Sequence, residues 1–238
     1  MKIRTAILTV ACLVAAEGSS ADVLVKAEEL GSGLSEIRID KDWARLLELS
    51  TPQQFMLVDL KKHVSYMADQ DKKIMLRMDD MHFASTEAQS EQNNLPKPKV
   101  TLTKTGGGPT VAGFETSRYV LKANNQLCSE HFISMDALKI PEIKSFSKSI
   151  EKLAKSPQYM TEHETPCGYA EIEFEQMAFN KGIPLLTKNN RGKVTFRVLE
   201  VNTNITFSEH EVAPPSDYEM VSAQQMMHRE MTRALNNR

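Results

Sequence analysis

The sequence predicts an α+β fold: a strongly curved antiparallel β-sheet, a half-open barrel, with two helices inserted as a plug or lid. Three observations point there. Short runs of alternating apolar and polar residues recur along the chain between tight turn signals, the pattern of antiparallel strands. Two helical stretches arrive late, over 138–155 and 166–181. A long sheet with one apolar face also needs a cover, which two helices can supply.

The first 21 residues read as an address. Lys2 and Arg4 precede an apolar run from Thr5 to Ala16, and Ser19-Ser20-Ala21 offers small residues to a signal peptidase. That run is too short to span a bilayer, which takes about 20 residues of helix. Cleavage after Ala21 into the periplasm is the leading expectation; a lipoprotein signal using Cys12 is the alternative, weakened by Thr9 where such a box wants leucine. The remainder divides into a single domain over 22–218 and a Met-rich tail over 219–238, helical or disordered.

Strands are predicted at 34–40 (LSEIRID), 42–49 (DWARLLEL), 54–60 (QFMLVDL), 63–68 (HVSYMA) and 72–78 (KKIMLRM), joined by turns at Lys41-Asp42, Lys61-Lys62 and Asp69-Gln70-Asp71. Residues 84–98 lack apolar periodicity and carry two prolines, so they read as a mobile insert, with a loose helix over Ser85–Asn93 as the alternative. Gly106-Gly107-Gly108-Pro109 reads as a turn; no Gly-Lys-Ser/Thr follows to make a phosphate loop. A strand pair at 114–122 and 126–135 turns at Asn124-Asn125.

Leu138, Ile140, Ile143, Phe146, Ile150 and Leu153 then form one apolar stripe, with Pro141 in the first turn and Pro157 as a stop. The second helix runs from Pro166 to Lys181 and closes on Gly182. A final hairpin spans 183–189 and 193–202, giving about eight to ten strands in all.

Composition excludes several classes. With 238 residues, 41% hydrophobic and 25% charged, the chain is neither extended and disordered nor a polytopic membrane protein. Twenty-nine basic against 31 acidic side chains give a net charge of −2, no field for a phosphate backbone, so no nucleic-acid partner is expected. Removing residues 1–21 takes Lys2, Arg4 and Glu17 and leaves −3.

Export leaves two cysteines, Cys128 and Cys167, and in an oxidising compartment the leading reading is one disulfide. Closing a loop of about 40 residues would stabilise by roughly 4 kcal/mol. Two alternatives stay open. One is a pair of free thiols. The other is a zinc set of Cys128, His131, His163 and Cys167, against which stands the strand parity that would point 128 and 131 to opposite faces.

The hairpin at 55–67 (FMLVDLKKHVSYM) with KKIMLRMDD at 72–80 resembles an exported bacterial family of unassigned function. So do Val111-Ala112-Gly113-Phe114-Glu115-Thr116 running into Tyr119-Val120-Leu121, then Cys128, and Cys167 opening a helix. Gly182-Ile183-Pro184-Leu185 and the closing Phe207, Pro215 and Tyr218 complete the pattern over about residues 34–218. That family is similar to the LolA/LppX-like half-barrels of the bacterial envelope, which carry lipoproteins or lipids in a concavity under a helical lid. The resemblance implies a fold and a compartment; it implies no activity.

No catalytic motif emerges: there is no G-x-S-x-G or H-E-x-x-H, and the six histidines are scattered. Asp79-Asp80 and Glu171, Glu173 and Glu175 read as solvated faces. No enzyme and no cofactor are expected. Methionine is in surplus at 13 residues. It serves core filling first, an adaptable apolar pocket second, and copper ligation through Met81-His82 and Met227-His228 third. Aromatics are only 6%, and Trp43 reads as core.

The functional expectation is an exported, non-enzymatic binding protein holding a lipid or other hydrophobic ligand on the concave face, with an envelope protein as a further partner of unknown identity. Its wall is expected from Phe55, Leu57, Tyr119, Leu121, Phe196 and Val198, with Ile143 and Phe146 from the lid. A metal-binding protein and a closed interaction module are the alternatives.

Overall fold

The computed structural model describes residues 21–78, 97–154 and 165–222, together with 224–226, 228, 229 and 232. Residues 1–20 of the expected signal peptide, most of the insert at 84–98, Asp79, Asp80, Pro157, His163, Met81, His82 and Met227 lie outside the described residues.

Among the described residues twelve strands form one sheet: β1 (Asp22–Glu29), β2 (Gly33–Ile39), β3 (Trp43–Glu48), β4 (Gln54–Asp59), β5 (Val64–Asp69), β6 (Ile74–Arg77), β7 (Val100–Gly107), β8 (Ser117–Ala123), β9 (Gln126–Ser134), β10 (Ile183–Asn189), β11 (Val194–Ile205) and β12 (Glu219–Val221). Their spatial order is β12-β6-β5-β4-β3-β2-β1-β11-β10-β9-β8-β7. Every pairing is antiparallel except that of β12 with β6. The curved, unclosed sheet with few helices agrees with the half-open barrel expected from the sequence.

Aspartates close the hairpins of the first half. The Asp40 carboxylate accepts from the backbone N–H of Asp42 and Trp43, Asp59 from Lys61 and Lys62, and Asp69 from Lys72. A short acceptor two or three residues upstream satisfies amides that the ladder leaves free. Between β8 and β9 the turn uses Asn124 (φ 47) and Asn125 (φ 66), both left-handed, as a two-residue hairpin of matching twist requires.

The strands differ from expectation in three places. Val23, Val25 and Ala27 put an unassigned strand, β1, at the middle of the sheet, where it pairs with both β2 and β11. The expected glycine turn at 106–109 instead supplies the end of β7, which pairs with β8 through Gly107. Glu219–Val221, assigned to the tail, forms the edge strand β12.

Helix α1 (Pro141–Ala154), preceded by a 3-10 turn at Ala137–Lys139, and helix α2 (Pro166–Ala178) lie on one face of the sheet. The stripe of α1 packs Ile143, Phe146, Ile150 and Leu153 against Val23, Ile39, Ala44, Val58 and Leu60. Helix α2 packs Ala170, Phe174 and Ala178 on Leu121, Ala123 and Ile133. Thr165 caps it, its hydroxyl accepting from the Gly168 amide at 3.0 Å, with Pro166 opening the first turn. Cys128 and Cys167 form a disulfide, Cα atoms 5.2 Å apart, fastening the start of α2 to β9.

Over β2 to β6 the opposite face carries the segment that follows β11. After β11 the backbone forms a short helix α3 (Glu209–Val212) against β2 and β3, then reaches β6 to add β12. Beneath this strap the Arg45 guanidinium lies 3.6 Å from the centre of the Phe55 ring and donates to the His210 carbonyl at 3.1 Å. Tyr218 packs on Phe55 from the strap.

Candidate functional site

Between the two helices and the middle of the sheet lies a cavity of about 270 Å³. Its floor is Val25 and Ala27 of β1, Ile37 and Ile39 of β2, and Phe196, Val198 and Val201 of β11. Helix α1 contributes Ile143, Phe146 and Ile150; α2 contributes Phe174 and Ala178, followed by Phe179. Residues Gly182 to Leu185 complete the wall. Gly182 has φ +122, and a side chain there would meet the Ser134 carbonyl, so glycine lets the chain turn from α2 into β10 at close range. Two polar side chains, Ser147 and Glu175, reach this lining.

Four residues named from the sequence, Ile143, Phe146, Phe196 and Val198, line the cavity. The other four lie elsewhere. Phe55 and Leu57 pack with Leu47, Ala68 and Met75, and meet Tyr218 of the strap. The alternate residues of β4, Met56 and Val58, pack with α1 instead. β4 is apolar on both parities because both its faces are covered, so alternation could not choose the inner one. Tyr119 and Leu121 do lie under a helix, but beneath α2 beside the disulfide, outside the cavity.

Glu175 was read as part of a solvated face. It keeps an exposed side chain, yet burial beside its apolar neighbours pushes its carboxyl up from the usual carboxylate range. Its position, three residues before Ala178 and four before Phe179, places it on their side of the helix, the signal that would have found it.

Next to the cavity, behind Phe174, sits a buried polar cluster. His131 is 2% exposed and its ring stacks on Phe174. One ring nitrogen lies 2.7 Å from the Ser129 hydroxyl, the other 3.2 Å from that of Thr187, and Glu171 approaches to 3.7 Å. Desolvation lowers the imidazole to about 4, so it is neutral at physiological pH. Burial pushes Glu171 up, opposed by its hydrogen bond with Ser129. Serine, histidine and glutamate are together here, with Ser129 only 2% exposed. The cluster satisfies polar groups in the core.

The zinc alternative is corrected by the same geometry. Both sulfurs are consumed by the disulfide, and His131 has both ring nitrogens engaged. Among the described residues no three histidine, cysteine, aspartate or glutamate side chains gather as a metal would need.

No protein-family model matches the chain, and no curated protein matches it. Among solved structures, it is similar to the crystal structure of MucB, with a TM-score of 0.39 and 12% identity over 85% of this chain and 60% of that one. It is also similar to the structure of the Pseudomonas aeruginosa MucA/MucB complex, with a TM-score of 0.35 and 15% identity over 85% of this chain and 59% of that one. The chain thus spans about three fifths of the length of those solved chains. Similarity at this level leaves the fold to stand on its own strand pairing.

No described helix is long and apolar enough to cross a membrane.

Proposed function

We propose that the protein is an exported binding module that holds the apolar part of a small ligand, such as a single acyl chain, beneath α1 and α2. The observation that carries this reading is the cavity of about 270 Å³ at the middle of the sheet, lined by carbon on nearly every side. For scale, an apolar cavity of about 150 Å³ accepts benzene, and drug-sized ligands fill roughly 300–1,000 Å³. The site therefore suits one short chain and is too small for a whole multi-acyl lipid. Burying about eight methylenes would contribute roughly 6 kcal/mol, a dissociation constant in the tens of micromolar.

Export through a signal peptide cleaved after Ala21 belongs to the same proposal. Cleavage there leaves β1 intact from Asp22, and the disulfide suits an oxidising compartment. N-terminal sequencing of the exported protein tests it; retention of Met1 to Ala21 would overturn it.

The ligand test uses N-phenyl-1-naphthylamine, a neutral apolar probe whose fluorescence rises on leaving water. The wild-type chain is expected to bind it, and Ala27→Leu, which pushes carbon into the cavity from β1, to weaken binding by about tenfold with unfolding little changed. No probe binding, together with a clean apo mass for protein taken from its own compartment, sinks the carrier reading.

A second reading, an interaction module, is favoured by a different observation. Leu34 and Leu49, 48% and 44% exposed, are joined by a backbone hydrogen bond of 2.9 Å, and Leu30 is exposed in the adjacent turn. Apolar side chains presented together at one end of a sheet are a protein-contact surface.

A further inference from the structure

The polar side chains of the cavity decide which ligands suit it. Ser147 is neutral and can donate or accept, so it discriminates weakly between headgroups. Glu175 accepts only, once ionised, and it carries charge. Burial is the cause of its raised carboxyl, with no lysine or arginine among the described residues offsetting it. Lys148 and Lys152 of α1 act on His63 at the turn between β4 and β5.

We propose that Glu175 selects the headgroup of the bound ligand: the cavity takes a single-chain amphiphile ending in a hydrogen-bond donor, a hydroxyl or ammonium, and rejects chains ending in a carboxylate. This rests on the cavity being a ligand site. With the chain lying among Val25, Ile39, Phe146 and Val198, its head reaches the only charged group that the described residues bring to the lining. A donor there makes a charge-assisted hydrogen bond with the carboxylate. A second carboxylate meets like charge at the apolar rim of the cavity, where its own chain holds it close.

The test is displacement of N-phenyl-1-naphthylamine from the protein at neutral pH by 1-octanol, octylamine and octanoate, three chains of one length with different heads. Octanoate is expected to need at least about tenfold higher concentration than octanol or octylamine. Glu175→Gln brings octanoate to within about threefold of octanol and weakens octylamine, whereas Glu175→Asp keeps the wild-type order. Equal displacement by all three in the wild type, or an unchanged order in Glu175→Gln, overturns the assignment while leaving the cavity a ligand site. Failure of the probe itself to bind overturns the carrier reading, and this assignment falls with it.

Discussion

The imidazole of His131 lies flat against the ring of Phe174, centroids 3.6 Å apart and planes 14° from parallel. One face of Phe174 therefore belongs to a buried polar cluster on β9, while the same side chain walls the apolar cavity. Whatever loosens the His131 seat also loosens the lid.

Stability is expected to fall with acid for that reason. In the unfolded chain the imidazole takes up a proton near 6.5; in the folded protein it resists until about 4. Between those values the unfolded state binds more protons, so stability declines as pH falls and levels off below about 4. The loss attributable to His131 is about 3 kcal/mol. Glu171 and Glu175, whose carboxyls are pushed up, act in the opposite sense, favouring the fold as pH falls toward the unfolded carboxylate value. Urea unfolding of wild type and His131→Gln from pH 7 to pH 4 isolates the contribution of His131: the variant should lose most of the acid slope, and parallel slopes would refute it.

Reduction should release the start of α2 before the sheet. Replacing Cys128 and Cys167 together with alanine is expected to cost about 2–4 kcal/mol, since the closed loop spans 39 residues. Hydrogen exchange should show the loss of protection concentrated in α2. Uniform loss across β1 to β6 would contradict the placement of the bridge.

Phe174→Ala is expected to destabilise by about 3–5 kcal/mol, because the side chain is only 7% exposed and its removal joins the cavity to the His131 seat. Denaturant midpoints measure this. A cost under about 1 kcal/mol would mean that α2 does not rest on this ring.

Asp59 is the hairpin aspartate most removed from solvent, 4% exposed, and it serves two amides as well as the Lys62 ammonium at 3.3 Å. Asp59→Ala should cost about 2 kcal/mol by leaving the Lys61 and Lys62 amides without their acceptor. Asp40→Ala, at a more open turn, should cost less. Thermal melts of the two variants supply the comparison.

Much of the first half was legible because each hairpin from β2 to β6 carries its own local instruction. Apolar residues alternate with polar ones, and an aspartate or lysine pair marks the turn. Strand β1 was hidden by its central place: Val23 and Leu24 are buried on opposite faces, so no clean alternation survives. β7 was hidden for the opposite reason, since from Thr103 onward it is an exposed edge whose glycines read as punctuation. At the cavity, Phe196 and Val198 stood out on a strand with polar neighbours. Glu175 did not, because a charged residue on a helix is ordinarily solvated and only the fold brings it to a cavity floored by β11.

Strand β1 sits between β2 and β11, with Asp22 opposite Ile205 and Glu29 opposite Phe196. During folding the first strand of this sheet therefore waits for nearly the last. Until β11 has docked, the meander from β1 to β6 ends in a bare edge, and the cavity has a floor on one side only. Pairings of such long sequence separation form slowly. The middle of the molecule, where the ligand is proposed to lie, thus forms later than the local hairpins that flank it.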